Sequence, residues 1–196
     1  MLFAWKSQAV FPISLFPDPA AAPVRAGVLT RARLLELFPA PYSVGEREKD
    51  VPVWPIFRQS GPPAFTVDLA GYVFESIDLA PVPGFSGTPI DLLVAIDIAG
   101  SFLDVRVLSQ HEPVFVGGLG EEPLVSFVAR YRGLNLKQAI TIGSGTVRTG
   151  AGSGGTHVHL DGIAKATASL RIINQSVLSS ALKVARARLG SARCRP

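Results

Sequence analysis

The residues whose types and spacing could do chemistry are Asp161 and Thr167, six positions apart, with a long apolar-striped segment directly after them. A hydroxyl residue at the start of a helix lies beside backbone N–H groups that have no acceptor within the helix, and such a place binds phosphate well. The spacing alone leaves two interpretations of Thr167. It is either an ordinary N-cap, the commoner role of threonine there, or part of a site that holds a phosphate.

The segment that follows this pair is predicted to form a long amphipathic helix, because its apolar residues recur at helical spacing. These residues are Leu170, Ile173, Val177, Leu178, Ala181, Leu182, Ala185 and Leu189. Arg171 and Gln175 lie off the stripe and should face solvent. Gly190 follows the last apolar residue, where helices commonly end. Lys183 and Arg186 occupy the last turns, which suits the negative end of the helix dipole.

The basic residues are concentrated at the C-terminal end of the chain. The net charge is +4, yet no acidic residue follows Asp161, whereas seven basic residues do. We expect a solvated helix face and a basic tail; approach to a membrane surface or a partner is the alternative. Basic residues interleaved with aromatic ones are absent, so nucleic acid is not predicted as a partner.

Length and cysteine content exclude several classes of protein. A chain of 196 residues suffices for one domain with a sizeable core. No run of about 18 uncharged apolar residues appears, so no bilayer-spanning segment is predicted. The single cysteine, Cys194, cannot form an internal disulfide, and alone it cannot hold an iron–sulfur cluster or a structural zinc ion.

The two ends of the chain differ in composition from its middle. Residues 1–27 are either a degenerate export segment or a poorly ordered lead-in, since Pro12 and Pro17 interrupt the apolar run after Lys6. Residues 28–190 are predicted to form one domain, and residues 191–196 a basic tail. Within the domain, residues 143–155 are rich in Gly and Ser and should form a flexible stretch.

The order of apolar runs predicts an α+β fold, a mostly antiparallel sheet that carries its helices on one face. Pro55 suggests that the strand containing it lies at an edge. The predicted elements are a helix over 31–38 capped by Thr30, an edge strand over 53–57, a strand over 69–75, a hairpin of two central strands over 90–98 and 102–108, a helix over 121–131, a helix or strand over 135–142, and a strand over 157–160.

Two histidines on the last predicted strand, His157 and His159, point to the same side, where a metal pair is conceivable. No third ligand is evident nearby in the sequence. Two exposed strand histidines are the favoured interpretation, and no metal site is predicted.

The segment from Asp161 to Thr167, with Ala166 before the Thr, resembles the flavinylation motif of FMN-binding domains. In those families a flavin transferase joins FMN to the Thr oxygen through a phosphoester. A further set of segments, in the same order and spacing, resembles the N-terminal flavin domain of the NosR/NirI family over roughly residues 26–190. This set comprises GYVFES at 71–76, GFSGTPI at 84–90, the hairpin, QHEP at 110–113, YRGL at 131–134 and INQSV at 173–177.

The resemblance implies an FMN site around the start of the long helix. Its residues would be Thr167, Ala166, Ala168, Ser169, Asp161, Gly162, Lys165, His111, Glu112 and Phe85. Thr167 would bear the FMN phosphate, the helix start at Ala168 and Ser169 would hold its charge, and Asp161 would help the transferase near its Mg²⁺. The flavin-pocket roles of the other segments stay open, because 111–113 can simply cap a strand and 84–87 can be a plain tight turn.

The family resemblance also implies a cellular context and raises an alternative. It implies a redox module, rather than a stand-alone enzyme, on the periplasmic side of the cytoplasmic membrane. The implied partners are a flavin transferase, membrane-bound electron-transfer proteins and nitrous oxide reductase. The chain ends before the family's transmembrane and iron–sulfur parts and so resembles a truncated form. Ala164 and Lys165 depart from the family's Ser or Thr and Gly; the alternative is therefore a sensor or binding domain that has lost covalent flavin.

Overall fold

The computed structural model describes residues 29–62, 65–143 and 157–190. The bounds of the helices and strands in these ranges agree with most of the predicted elements. In chain order they are α1 (Arg31–Leu37), β1 (Tyr42–Val44), β2 (Val53–Gln59), β3 (Val67–Glu75), α2 (Ser76–Leu79), β4 (Asp91–Asp97), β5 (Phe102–Ser109), α3 (Glu122–Val128), β6 (Ala139–Gly143), β7 (His157–Asp161) and α4 (Thr167–Val184). The predicted Gly/Ser stretch, the lead-in and the tail lie largely or wholly outside the described residues.

Five strands form one antiparallel sheet in the order β1-β2-β3-β4-β5, and β6 and β7 form a separate parallel pair. The ladder between β3 and β4 requires a glycine at Gly71, because a Cβ there would lie 2.0 Å from the backbone oxygen of Ile96. The register between β2 and β3 shifts next to this glycine, because Ile56 pairs with Gly71 and Phe57 pairs with Leu69. The predicted α+β fold with a mostly antiparallel sheet is confirmed.

Both faces of the large sheet are buried, so the expectation of helices on one face only is wrong. Successive side chains of a strand point to opposite faces. Phe74 and Val94 join the core that α3 and α4 cover, whereas Val73 and Leu93 join a second core with α1. A sheet covered on both faces explains why residues 92–96 are apolar without alternation.

The positions of two strands in the sheet differ from the prediction. β2 lies between β1 and β3, although it contains Pro55. The Pro55 carbonyl accepts from the Gly45 N–H, so its missing N–H falls on the side of the short strand β1, just beyond the last paired residue. β5, predicted to be a central strand, lies at one edge of the sheet, with β1 at the other. Residues 133–136 cover β5: the Phe102 N–H donates to the Leu134 carbonyl at 2.8 Å.

Helix α4 packs its apolar stripe into the core, with a shift in which residues are buried. Leu170, Ile173, Val177 and Ala181 are buried as predicted. Leu182, predicted to be in the core, is 37 % exposed, and Val184 is buried in its place. Three serines that a hydropathy pattern assigns to the solvent side are also buried: Ser169, Ser176 and Ser180. Serine side chains are small enough to pack closely against neighbouring elements. The buried face of α4 is therefore rotated from the apolar stripe toward the side that carries these serines.

None of the helices in the described ranges is long and apolar enough to span a membrane. Helix α1 begins after Thr30, whose hydroxyl accepts from the Arg33 N–H at 3.3 Å, which confirms the predicted cap. After Val184 the backbone continues through a π-helical turn to Leu189, and Gly190 follows it as expected.

Candidate functional site

The loop between β7 and α4 is fixed at its start by two backbone contacts. The Arg130 guanidinium donates to the backbone carbonyl of Asp161 at 3.1 Å. The Gly162 N–H donates to the Gly143 carbonyl at 2.8 Å and so continues the β6–β7 pairing. The loop therefore leaves the strand pair from a defined position.

Lys165 adopts a backbone conformation that favours glycine. Its φ is 70°, the only positive φ of a non-glycine residue within the described ranges. The turn closes where the Ala166 N–H donates to the Ile163 carbonyl at 3.0 Å. Lys165 stands where the family resemblance implies Gly, and the backbone there does enter the left-handed region.

Thr167 is the first residue of α4, so its interpretation as an N-cap is wrong. The N-cap is Ala166, with φ −116° and ψ 3°, and no side chain caps this helix start. The Thr167 hydroxyl reaches only the Ile163 carbonyl, at 3.5 Å. Because the preceding turn ends at Ala166, the helical conformation begins at Thr167, one residue earlier than an N-cap at Thr167 would place it.

The start of α4 leaves backbone donors and a hydroxyl in one place. The N–H groups of the first helical residues have no acceptor one turn earlier, and no side chain replaces it. Ala168 is exposed and Thr167 is half-buried. Gly162 lies close beside them, since a Cβ there would be 3.1 Å from Thr167 Oγ1. A hydroxyl next to the positive end of an 18-residue helix dipole is suited to carry a phosphate.

A buried carboxylate connects two of the predicted site segments to this helix start. Glu112 is 0 % exposed, and its Oε2 accepts from the Ser169 hydroxyl at 2.6 Å. Its Oε1 has no hydrogen-bond partner and faces Gly84, where a Cβ would lie 2.1 Å from it. The structure thus brings together Gly84, Glu112 and Ser169, which are far apart in sequence. No spacing pattern could have indicated this contact.

The turn at residues 84–87 presents Phe85 at its tip. The Gly84 N–H donates to the Thr88 carbonyl at 3.0 Å, and the Gly87 N–H donates back to the Gly84 carbonyl at 3.1 Å. Phe85 is 65 % exposed, so its ring is not part of the core. His111 is exposed as well, next to the buried Glu112. A role of Phe85 and His111 in lining the flavin pocket stays a prediction.

Asn174, which is not among the predicted site residues, anchors α4 to two neighbouring elements. The Tyr131 hydroxyl donates to Asn174 Oδ1 at 2.7 Å, and Asn174 Nδ2 donates to the Ile140 carbonyl at 3.0 Å. The sequence feature that could have indicated this role is the position of a polar residue directly beside the apolar stripe. This contact joins the YRGL and INQSV segments.

The basic residues near the end of α4 are partly paired rather than fully solvated. Lys183 Nζ donates to the Leu79 carbonyl at the end of α2, at 2.6 Å. Arg188 forms ion pairs with Glu48 and with Asp50. Arg186 is exposed, as expected of a solvated face.

The two strand histidines occupy β7, and one has a polar neighbour. His159 Nδ1 lies 3.2 Å from the Thr141 hydroxyl on β6, and His157 is exposed. Among the described residues, no three His, Cys, Asp or Glu side chains are grouped so that they could hold a metal ion.

The fold and the site define a class of protein: an α+β domain that presents a threonine hydroxyl at the start of a long helix without a side-chain cap. No protein-family model matches the chain. Curated relatives do match it. The regulatory protein NosR of Pseudomonas aeruginosa is 30 % identical over 184 residues, 94 % of this chain and 23 % of that protein.

Two further relatives agree with this match. NosR of Stutzerimonas stutzeri is 30 % identical over 118 residues, 60 % of this chain and 15 % of that protein. Protein NirI of Paracoccus denitrificans is 28 % identical over 187 residues, 95 % of this chain and 24 % of that protein. The chain belongs to the NosR/NirI family. It spans about a quarter, or less, of the length of these relatives.

Proposed function

We propose that this chain is a flavin-carrying redox module in which FMN is joined to Thr167 through a phosphoester. The observation that carries the proposal is the start of α4, where the Thr167 hydroxyl stands at the first helical position and no side chain caps the helix. The family membership supports the same assignment.

The residues present fit a phosphodiester at this position. The hydroxyl oxygen of Thr167 has only a long contact to the Ile163 carbonyl. The unpaired N–H groups of the first turn favour a negative charge, and each such interaction at a helix start contributes about 0.3–1 kcal/mol. The glycine at 162 keeps the neighbouring backbone free of a side chain next to Thr167 Oγ1.

The attachment reaction balances with a flavin dinucleotide as donor. Thr167 Oγ1 forms a bond to the phosphorus of the FMN half, the pyrophosphate bond of the donor breaks, and AMP leaves. The hydroxyl proton passes to a base of the transferase. Arg130 donates to the backbone carbonyl of Asp161, and the Asp161 carboxylate would approach the Mg²⁺ of the transferase.

Bound FMN would supply the electron-transfer chemistry, and the protein would supply attachment, orientation and electrostatics. The residues that would hold it are Thr167 with the backbone of Ala168 and Ser169, and Lys165 would pair with the phosphate. Phe85 and His111, both exposed near the buried Glu112, would contact the rest of the cofactor.

We propose that the module acts in support of nitrous oxide reduction and its regulation. The relatives NosR of two organisms are named regulatory proteins, which supports this role. By the same resemblance the partners are a flavin transferase, membrane-bound electron-transfer proteins and nitrous oxide reductase, on the periplasmic side of the cytoplasmic membrane.

A second candidate is a sensor or binding domain of the same fold without covalent flavin. It is favoured by Ala164 and Lys165, since the first removes a hydroxyl from the loop and the second places a non-glycine residue at φ 70°. The visible spectrum of the protein co-produced with a flavin transferase, before and after denaturation, separates the two. A yellow protein band that survives denaturation supports attachment, and a colourless protein supports the sensor.

A further inference from the structure

Glu112 is held rigidly by its backbone as well as by its side chain. Its N–H donates to Gln110 Oε1 at 2.8 Å. Its carbonyl accepts from the Phe115 and Val116 N–H groups, each at 3.0 Å. The carboxylate then reaches Ser169 Oγ at 2.6 Å in the first turn of α4. Glu112 therefore connects a fixed segment after β5 to the helix start.

The second carboxylate oxygen of Glu112 makes this arrangement less stable than an ordinary core contact. Oε1 is buried and has no hydrogen-bond partner, and an unpaired buried polar group destabilises the folded state. Gly84 packs directly against it, with no room for a Cβ. An apolar side chain could fill this space without leaving a polar atom unpaired. Core packing alone therefore does not explain a carboxylate at this position.

We propose that Glu112 is a positioning residue for flavin attachment, acting through Ser169. It fixes the first turn of α4 against the turn at 84–87, so that the Thr167 hydroxyl, two residues before Ser169, is presented to the transferase in one orientation. Glu112 is fully buried and binds the Ser169 hydroxyl, so it acts on the helix start and not on the phosphate itself. The inference rests on the proposed function of Thr167.

The test measures the rate at which purified chain is flavinylated by a flavin transferase with the flavin dinucleotide, giving kcat and KM for the chain as substrate. Ser169→Ala and Glu112→Ala should lower kcat about tenfold or more with a smaller change in KM, since misorientation of a reacting group reduces rate more than encounter. Glu112→Gln, which keeps an oxygen acceptor for Ser169, should recover most of the rate.

The matched control is Tyr131→Phe, which removes a partly buried hydrogen bond to Asn174 on the same helix, two turns beyond Thr167. This variant should lose stability and keep kcat. Equal losses of kcat in the control and in Ser169→Ala, or a wild-type kcat in Ser169→Ala and Glu112→Ala, overturn the positioning role.

A second measurement separates this inference from the proposed function. If wild-type chain takes no flavin, or Thr167→Ala takes it equally, attachment at Thr167 is wrong. Amide hydrogen exchange then decides on positioning by itself. Glu112→Ala should raise exchange in residues 170–173, the first whose N–H groups donate within the helix, and leave residues 174–181 unchanged; unaltered exchange at 170–173 overturns the inference.

Discussion

The Tyr131 hydroxyl donates to Asn174 Oδ1 at 2.7 Å, and this bond fixes the middle of α4 to the segment that covers the edge strand β5. Tyr131 is buried between Phe102 and Phe127, whose rings contact it edge to face. Burial raises the pKa of the Tyr131 hydroxyl, so it is a neutral hydrogen-bond donor at neutral pH.

Asn174→Ala should destabilise the protein by about 2–3 kcal/mol. The change removes the acceptor of the Tyr131 hydroxyl and the donor to the Ile140 carbonyl, and buried polar groups that lose partners cost about 1–3 kcal/mol each. Urea denaturation measures the free energy of unfolding. A loss below about 0.5 kcal/mol would mean that water replaces Asn174 in both bonds.

Truncations along α4 should follow the observed burial rather than the hydropathy stripe. Ile173→Ala should cost about 2–5 kcal/mol, because Ile173 is fully buried. Leu182→Ala should cost about 1 kcal/mol or less, because Leu182 is 37 % exposed. Thermal and urea unfolding of both variants, with exposed Arg171→Ala as the control, check this. Equal costs at 173 and 182 contradict the orientation of α4.

Lys165→Gly should stabilise the loop by about 1 kcal/mol, since a left-handed conformation is costly for any residue with a Cβ. The control is Ala164→Gly at the adjacent exposed position, where glycine brings only added chain entropy and should be neutral or destabilising. Combined with Ala164→Ser, Lys165→Gly should also raise the flavinylated fraction. A drop in stability on Lys165→Gly would show that the φ of 70° is wrong.

Stability should fall as the pH rises through the titration range of Glu75. Burial raises the pKa of Glu75 from 4.5 to about 7, nearby Asp91 adds to the rise, and the Leu29 N–H at 2.9 Å opposes it. The folded state thus binds the proton more tightly than the unfolded state. The stability that protonated Glu75 contributes to the folded state is fully present below about pH 4.5 and is lost as the pH rises through about 7.

The matching variant is Glu75→Gln, which keeps an oxygen for the Leu29 N–H and cannot ionise. Urea unfolding across this pH range should show a flatter dependence than in wild type. Burial also raises the pKa of Asp91, so part of the decline should persist in the variant. An identical slope in both proteins contradicts the assignment to Glu75.

Local patterns in the sequence predict the elements well, and contacts between distant segments explain what they miss. The hairpin and α4 follow from apolar periodicity, and the Thr30 cap follows from residue type. The order of the strands does not follow from local patterns. Pro55 is compatible with an inner strand such as β2 only because β1 is short and its pairing ends next to Pro55. The Glu112–Ser169 contact joins residues 57 positions apart, and nothing in either segment specifies the other.

The backbone at the loop illustrates the same limit at shorter range. The motif spacing led correctly to the start of α4, but it could not distinguish an N-cap from a first helical residue, because the difference is one residue in where the turn closes. In the sequence, only the absence of the family's glycine indicates a left-handed conformation at Lys165. The conformation itself depends on the turn from Ile163 to Ala166.

The most direct measurement of the central claim is the intact mass of wild-type, Thr167→Ala and Thr167→Ser chains co-produced with a flavin transferase, alongside in-gel fluorescence under denaturing conditions. The phosphoester requires an oxygen, so wild type should gain the mass of one FMN, Thr167→Ser should gain it in part, and Thr167→Ala should gain none. The Ala variant should still fold, because the Thr167 hydroxyl makes only a 3.5 Å contact in the structure. Covalent flavin that persists on folded Thr167→Ala, or its absence from wild type, would contradict attachment at Thr167.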